Sequence, residues 1–254
     1  MTQDIRTWPL GRTGLVSAAL LTVSIVAPPA RAQDPLKVLS DNYQLDFENE
    51  LVKVVHVVYP ARSKLPAHEH PRGSTAYVYL TDSGPILFGH FNLSYGAITR
   101  PPVVAGAVRL GRAVDEVHEV ENPNDSASEF LRVEFKAIPP TGFRGRFAPE
   151  PFPAGEHFAK VHFENDHLRI TRRACAPEQP CDIAPDGTEA TLVVALKPAR
   201  LEPVAGGAAR VLERGRTLWL DEGAARLFRS RDAAPAELMV FAFKTRPSAV
   251  SANP

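Results

Sequence analysis

The chain has 254 residues, with 29 basic and 29 acidic side chains and therefore no formal net charge. Neutrality offers no electrostatic pull on nucleic acid or an anionic membrane surface, so neither is expected as a partner. The 24 prolines argue against long helices and favour an all-β chain with many turns.

Residues 1–32 read as a signal peptide. Arg6 and Arg12 form a positive start, Leu15 to Val26 is an apolar run too short to span a bilayer comfortably, and Ala30-Arg31-Ala32 resembles a peptidase site. Cleavage after Ala32 would leave about 220 residues starting at Gln33, with the loss of Arg6, Arg12, Arg31 and Asp4 bringing the net charge to about −2. A periplasmic or secreted product is expected. With no twin arginine and no lipobox cysteine, the expected route is general secretion without a lipid anchor.

Short apolar segments follow. Leu51 to Tyr59 is β-rich and ends at Pro60-Ala61-Arg62; further segments run from Ala76 to Leu80, Pro85 to Ser94, Val103 to Leu110, His118 to Glu121 and Glu129 to Ala137. Short strands at close spacing predict a sandwich or barrel. His68 and His70 stand just before the second segment. On a strand, residues two apart share a face, so both imidazoles would point the same way. With His118 from a neighbouring strand they can hold a divalent cation; the bland alternative is three surface or turn histidines.

Other candidates surround this trio. Glu116, Glu119 and Glu121 crowd His118, and one of them, Glu116 first, would be a general base if partly buried. Tyr77 and Tyr79 alternate on one face, either lining a pocket or packing a core. His56 shares a face with Val52, Val54 and Val58, which places it near the site only if that face lines the barrel. Arg72 would steer an anion or sit exposed in a turn, and Asn122 would tie down a turn. His90, His157, His162 and His167 carry no motif.

The chain repeats itself. FENELVKVVHVVYPA, from Phe47, recurs loosely as FENDHLRITRRACAP from Phe163, an offset of 116 residues that also lays Tyr77 to Leu80 on Val193 to Leu196. Phe130 to Lys136 matches Leu238 to Lys244. The predicted organisation is a first β-unit over 33–140, a Pro- and Gly-rich linker or strap over 141–156, a second unit over 157–246 and a tail over 247–254. Cys175 and Cys181, the only cysteines, are expected to form a disulfide in an oxidising compartment, the alternative being free thiols or a soft metal site.

On these motifs the first unit resembles the cupin family. PAHEHPRGSTAYVYLTDSG, Pro66 to Gly84, is similar to the family's first motif, and GRAVDEVHEVEN, Gly111 to Asn122, to its second, with His118 and Asn122 at the matching spacing. The resemblance covers both halves. It implies two tandem cupin-type double-stranded β-helix (jelly-roll) barrels, an all-β bicupin. The family's usual glutamate is replaced by Ser74 or Thr75, so the resemblance implies three ligands, His68, His70 and His118. Thiol dioxygenases and diketone-cleaving cupins are similar in using three histidines on iron. In the second unit the offset puts Ala184 and Asp186 in the places of His68 and His70, and Arg226 in that of His118, so that unit is expected to hold no metal. An organic anion at Arg226 and Arg172 is the alternative there.

One divalent metal is therefore expected. Iron or manganese is the first choice, with zinc, copper or nickel as competitors outside the cytoplasm. Three neutral imidazoles leave the cation its full charge and open positions. The expected activity is that of an oxygenase, isomerase or lyase on a small organic molecule. The alternatives are a non-catalytic periplasmic protein that binds or senses a small ligand or metal, and a structural bicupin. Cupin-type barrels often pair through edge strands, so either a homodimer or an internal pairing of the two halves is expected.

Overall fold

The computed structural model describes residues 33–111, 114–153, 155–184 and 189–244. The expected signal peptide, the tail and Asp186 lie outside the described residues. One four-residue helix, α1 (Pro35–Val38), has Pro35 in its first turn and the Asp34 carboxylate accepting from the Leu36 amide. The regular structure that follows is β. No helix among the described residues is long and apolar enough to cross a membrane.

The first repeat contains β1 (Tyr43–Glu48), β2 (Val52–Tyr59), β3 (Ser63–His70), β4 (Ser74–Tyr79), β5 (Ile86–His90), β6 (Ala97–Arg100), β7 (Val108–Gly111), β8 (Glu116–Asn122) and β9 (Ser128–Phe135). β10 (Gly145–Phe147) follows, inside the predicted linker, and adds an edge strand by pairing with β7. The second repeat contains β11 (Phe158–Glu164), β12 (Leu168–Cys175), β13 (Pro180–Asp182), β14 (Thr191–Ala195), β15 (Ala199–Pro203), β16 (Arg210–Leu212), β17 (Thr217–Leu220), β18 (Leu227–Ser230) and β19 (Ala236–Phe243).

The sheets show the duplication. Strand order β1-β2-β9-β4-β7-β10 in one large sheet matches β11-β12-β19-β14-β17 in the other, and β3-β8-β5-β6 matches β13-β18-β15-β16. A register shift falls at equivalent points, between Leu45 and Phe47 against β2 and between Val161 and Phe163 against β12. This is the two-barrel, all-β architecture that the repeat and the motifs predict.

Alternation along the strands assigns three cores. Val55, Val57 and Tyr59 of β2 and Phe130 of β9 point into the first barrel, against Ile86 and Phe88 of β5 and Val120 of β8. The opposite faces of the same large sheet, Val52, Val54, Leu131, Val133 and Phe135, pack on Leu168, Ile170, Met239 and Phe241 of the second repeat. Cys175, Cys181, Val193, Leu201, Phe228 and Leu238 fill the second barrel. Each fully buried Val, Leu or Phe contributes about 1.5–3 kcal/mol relative to exposure, so the shared middle core binds the two repeats together. Cys175 and Cys181 form the expected disulfide.

Candidate metal centre

β3 carries a proline, which cannot donate to a ladder and is tolerated at a bulge. Here Leu65 pairs with Val120 and His68 with His118, so β3 has one extra residue between those pairs. The bulge sets the Pro66 carbonyl 2.9 Å from His68 Nδ1, where only an N–H can satisfy it. His68 is thereby fixed as the tautomer whose Nε2 carries the lone pair, turned toward the other two rings. His70 follows two residues on, and His118 enters from β8 directly opposite His68.

The three rings converge. Centroid separations are 5.0 Å for His68 and His70, 4.7 Å for His68 and His118, and 5.2 Å for His70 and His118. One nitrogen from each lies within 4.8 Å of the others, and all three residues are buried. Burial holds the imidazoles neutral. The pKa of His68 is lowered, and those of His70 and His118 fall well below the ordinary value, first through desolvation and then through nearby Arg132 and the neighbouring rings. Both ring nitrogens of His118 are buried without a hydrogen-bond partner. A satisfied core histidine would not look like this, since an orphaned buried polar group costs about 1–3 kcal/mol. A neutral, converging nitrogen set, with His118 left without a partner, fits a divalent transition metal.

The site has further members that the sequence motifs did not indicate. Tyr43, from β1, places its Oη 2.8 Å from His68 Nε2 and 3.2 Å from Tyr59 Oη. Burial raises the pKa of Tyr43, and that of Tyr59 to about 12, so both remain phenols. His90 pairs in register with His118; its Nδ1–H donates to the Gly96 carbonyl at 3.1 Å, and its buried Nε2 has no partner. The alternation Ile86-Phe88-His90 is the sequence signal that would have found it. Tyr43 had no such signal, because only the β1–β2 pairing brings it to the histidines.

The remaining candidates separate. Glu116 shares the His118 face, with its Oε2 3.8 Å from His118 Nδ1. It lines a cavity of about 460 Å³ together with Tyr43, His70, Arg132 and Glu134. Glu119 points away and pairs with Lys64 at 2.9 Å, and Glu121 is exposed. Tyr77 and Tyr79 lie inside the barrel. Arg132 Nη1 donates to Tyr77 Oη at 2.8 Å, and Arg109 Nε to Tyr79 Oη at 3.3 Å. His56 is a correction. Its face is the one that carries Val52 and Val54 toward the second repeat, and its Nε2 meets Glu129 at 2.8 Å. Asn122 ties the turn as expected, donating to the carbonyls of Tyr59, Pro60 and Ser126. Ser74 and Thr75, in the place of the usual glutamate, donate to the carbonyls of Ile138 and Gly73. Arg72 is exposed.

In the second barrel Arg226 occupies the place of His118. It donates to Thr191 Oγ1 at 2.7 Å and to the Glu189 carbonyl. Arg172 sits on the other face of its sheet, the one packed on the first repeat, and pairs with Glu237 at 2.8 Å. The two arginines therefore do not form a joint anion site.

No family model matches the sequence, and no curated protein does. Solved structures do. A putative glyoxylate-induced protein from Pseudomonas aeruginosa superposes with a TM-score of 0.56 at 11% identity, over 82% of this chain and 80% of that one. A cupin 2 conserved barrel domain protein from Leptotrichia buccalis gives 0.52 at 11%, over 80% and 88%. A salicylate 1,2-dioxygenase from Pseudoaminobacter salicylatoxidans, in complex with gentisate, gives 0.50 at 12%, over 76% and 69%. The chain thus has the cupin fold, in two tandem barrels whose histidine cluster lies in the first.

Proposed function

We propose that the first barrel is a divalent-metal centre that binds and transforms a small organic molecule, as an oxygenase, isomerase or lyase. The observation that carries this reading is His118, whose two buried nitrogens have no partner inside a cluster of neutral imidazoles. His68, His70 and His118 would hold the metal, with iron or manganese preferred and zinc, copper or nickel as competitors. When bound, such a cation supplies Lewis acidity and open positions for small ligands.

The chain's own residues do the rest. Pro66 orients His68 through its carbonyl. Tyr43 reaches His68 Nε2 and, through Tyr59, keeps a second hydrogen-bond partner when that nitrogen is engaged elsewhere. Glu116, mostly buried on the cavity wall, is the group positioned to hold or move a proton there. Glu116→Gln should leave metal content unchanged and lower turnover about 100-fold or more, as loss of general acid–base catalysis does. Oxygen uptake and product analysis with thiols, diketones and catechols on metal-loaded protein test the reading. Turnover of none of them, with metal bound, would favour the second reading, a non-catalytic ligand- or metal-binding protein. That alternative draws on the absence of a carboxylate ligand at Ser74 and Thr75. The disulfide supports placing the protein in an oxidising compartment outside the cytoplasm; N-terminal sequencing of exported protein should begin at Gln33.

A further inference from the structure

The first barrel contains a second polar cluster, which adjoins the metal centre's cavity through Arg132. Three guanidinium groups gather around Tyr77. Arg132 is neutralised by Glu134 at 2.6 Å and donates to the Tyr77 phenol. Arg109, opposite Tyr77 in the sheet, lies 3.7 Å from that ring's centroid. Arg100, at the end of β6, lies 4.0 Å above the Phe88 ring. Neither Arg100 nor Arg109 takes part in an ion pair among the described residues, and Arg109 Nη2 is buried without an acceptor. Burial and the neighbouring Arg109 both lower the pKa of Arg100. Both side chains are half-buried, and the ring faces return about 0.5–2 kcal/mol per cation without supplying a counter-ion.

Both arginines line a cavity of about 340 Å³, together with Arg146 from β10. Apart from Tyr79 its other walls are apolar, including Pro101, Val104 and Phe147, and no aspartate or glutamate contributes. It shares no lining residue with the cavity at the histidines. We propose that this cavity binds an aromatic or short aliphatic monocarboxylate. The carboxylate meets the Arg100 and Arg109 guanidinium groups, which suit its planar, two-oxygen geometry, and the apolar body rests against Pro101, Val104 and Phe147. The site is independent of the metal.

Calorimetric titration of the full-length protein with benzoate and with its neutral isostere benzamide tests this, before and after chelation of metal. Benzoate should bind at least tenfold tighter than benzamide, and equally well after chelation. Arg109→Gln should weaken benzoate binding at least tenfold. If that variant fails to fold, Val104→Trp, at a position 48% exposed on the rim, should block the cavity and have the same effect. Benzoate binding no tighter than benzamide, binding lost on chelation, or affinity within twofold of wild type in the folded variants would overturn the proposal.

Discussion

At the scale of single residues, the decisive property is the neutrality of buried imidazoles. Unfolded histidines take up protons near pH 6.5, whereas His68, His70 and His118 in the fold resist protonation because their pKa values are depressed. The unfolded state therefore binds more protons below that value, and stability falls with pH there while staying flat above about pH 7. Each group that stays neutral costs up to about 1.4 kcal/mol per pH unit below that value, so metal-free protein should be less stable at pH 5.5 than at pH 7.5. Urea unfolding of chelated protein at the two pH values measures this; equal midpoints would contradict neutral burial. His68 and His70 were legible in the sequence because their spacing is local and periodic, and His118 because, with Asn122, it matches the second motif of the resemblance. Tyr43, Arg100 and Arg109 were not, because long-range strand pairing brings them together and a lone tyrosine or arginine carries no periodic signature. His56 was left open because alternation shows which residues share a face, not which face is inside.

At the scale of elements, the bulge in β3 and the disulfide between β12 and β13 do the local shaping. The sequence showed Pro60 as a break, and Ser63–His70 was not among the expected segments; Pro66 sits inside that strand, and the bulge accommodates it. The linker likewise hid β10, too short for alternation to register. Cys175 and Cys181 close a short loop, so their link should contribute about 2 kcal/mol. Replacing both with serine should lower the unfolding free energy by that amount without changing metal content. Intact mass without reduction should be two hydrogens below the thiol form, and two free thiols would refute the link.

At the scale of the whole molecule, the duplicated barrels have divided their roles. The first keeps polar groups inside, and the second is filled with apolar side chains and a satisfied Arg226. The repeat made this division legible, since Ala184 and Arg226 fall in ligand positions, but the shared middle core was visible only as strands buried on both faces. Phe135 meets Phe241 and Phe243 across it, at 5.8 and 6.0 Å between ring centroids. Phe241→Ala should cost about 3–5 kcal/mol and destabilise both barrels in one transition. A fragment of residues 33–150 should not unfold cooperatively, because it exposes that face; a sharp, reversible transition for the fragment would show that the barrels stand alone. The most direct test of the central claim is elemental analysis of purified protein loaded with iron, manganese, zinc, copper or nickel, beside His118→Ala treated identically. The account predicts about one metal per wild-type chain and almost none in the variant; a metal-free wild type, or full occupancy in the variant, would contradict it.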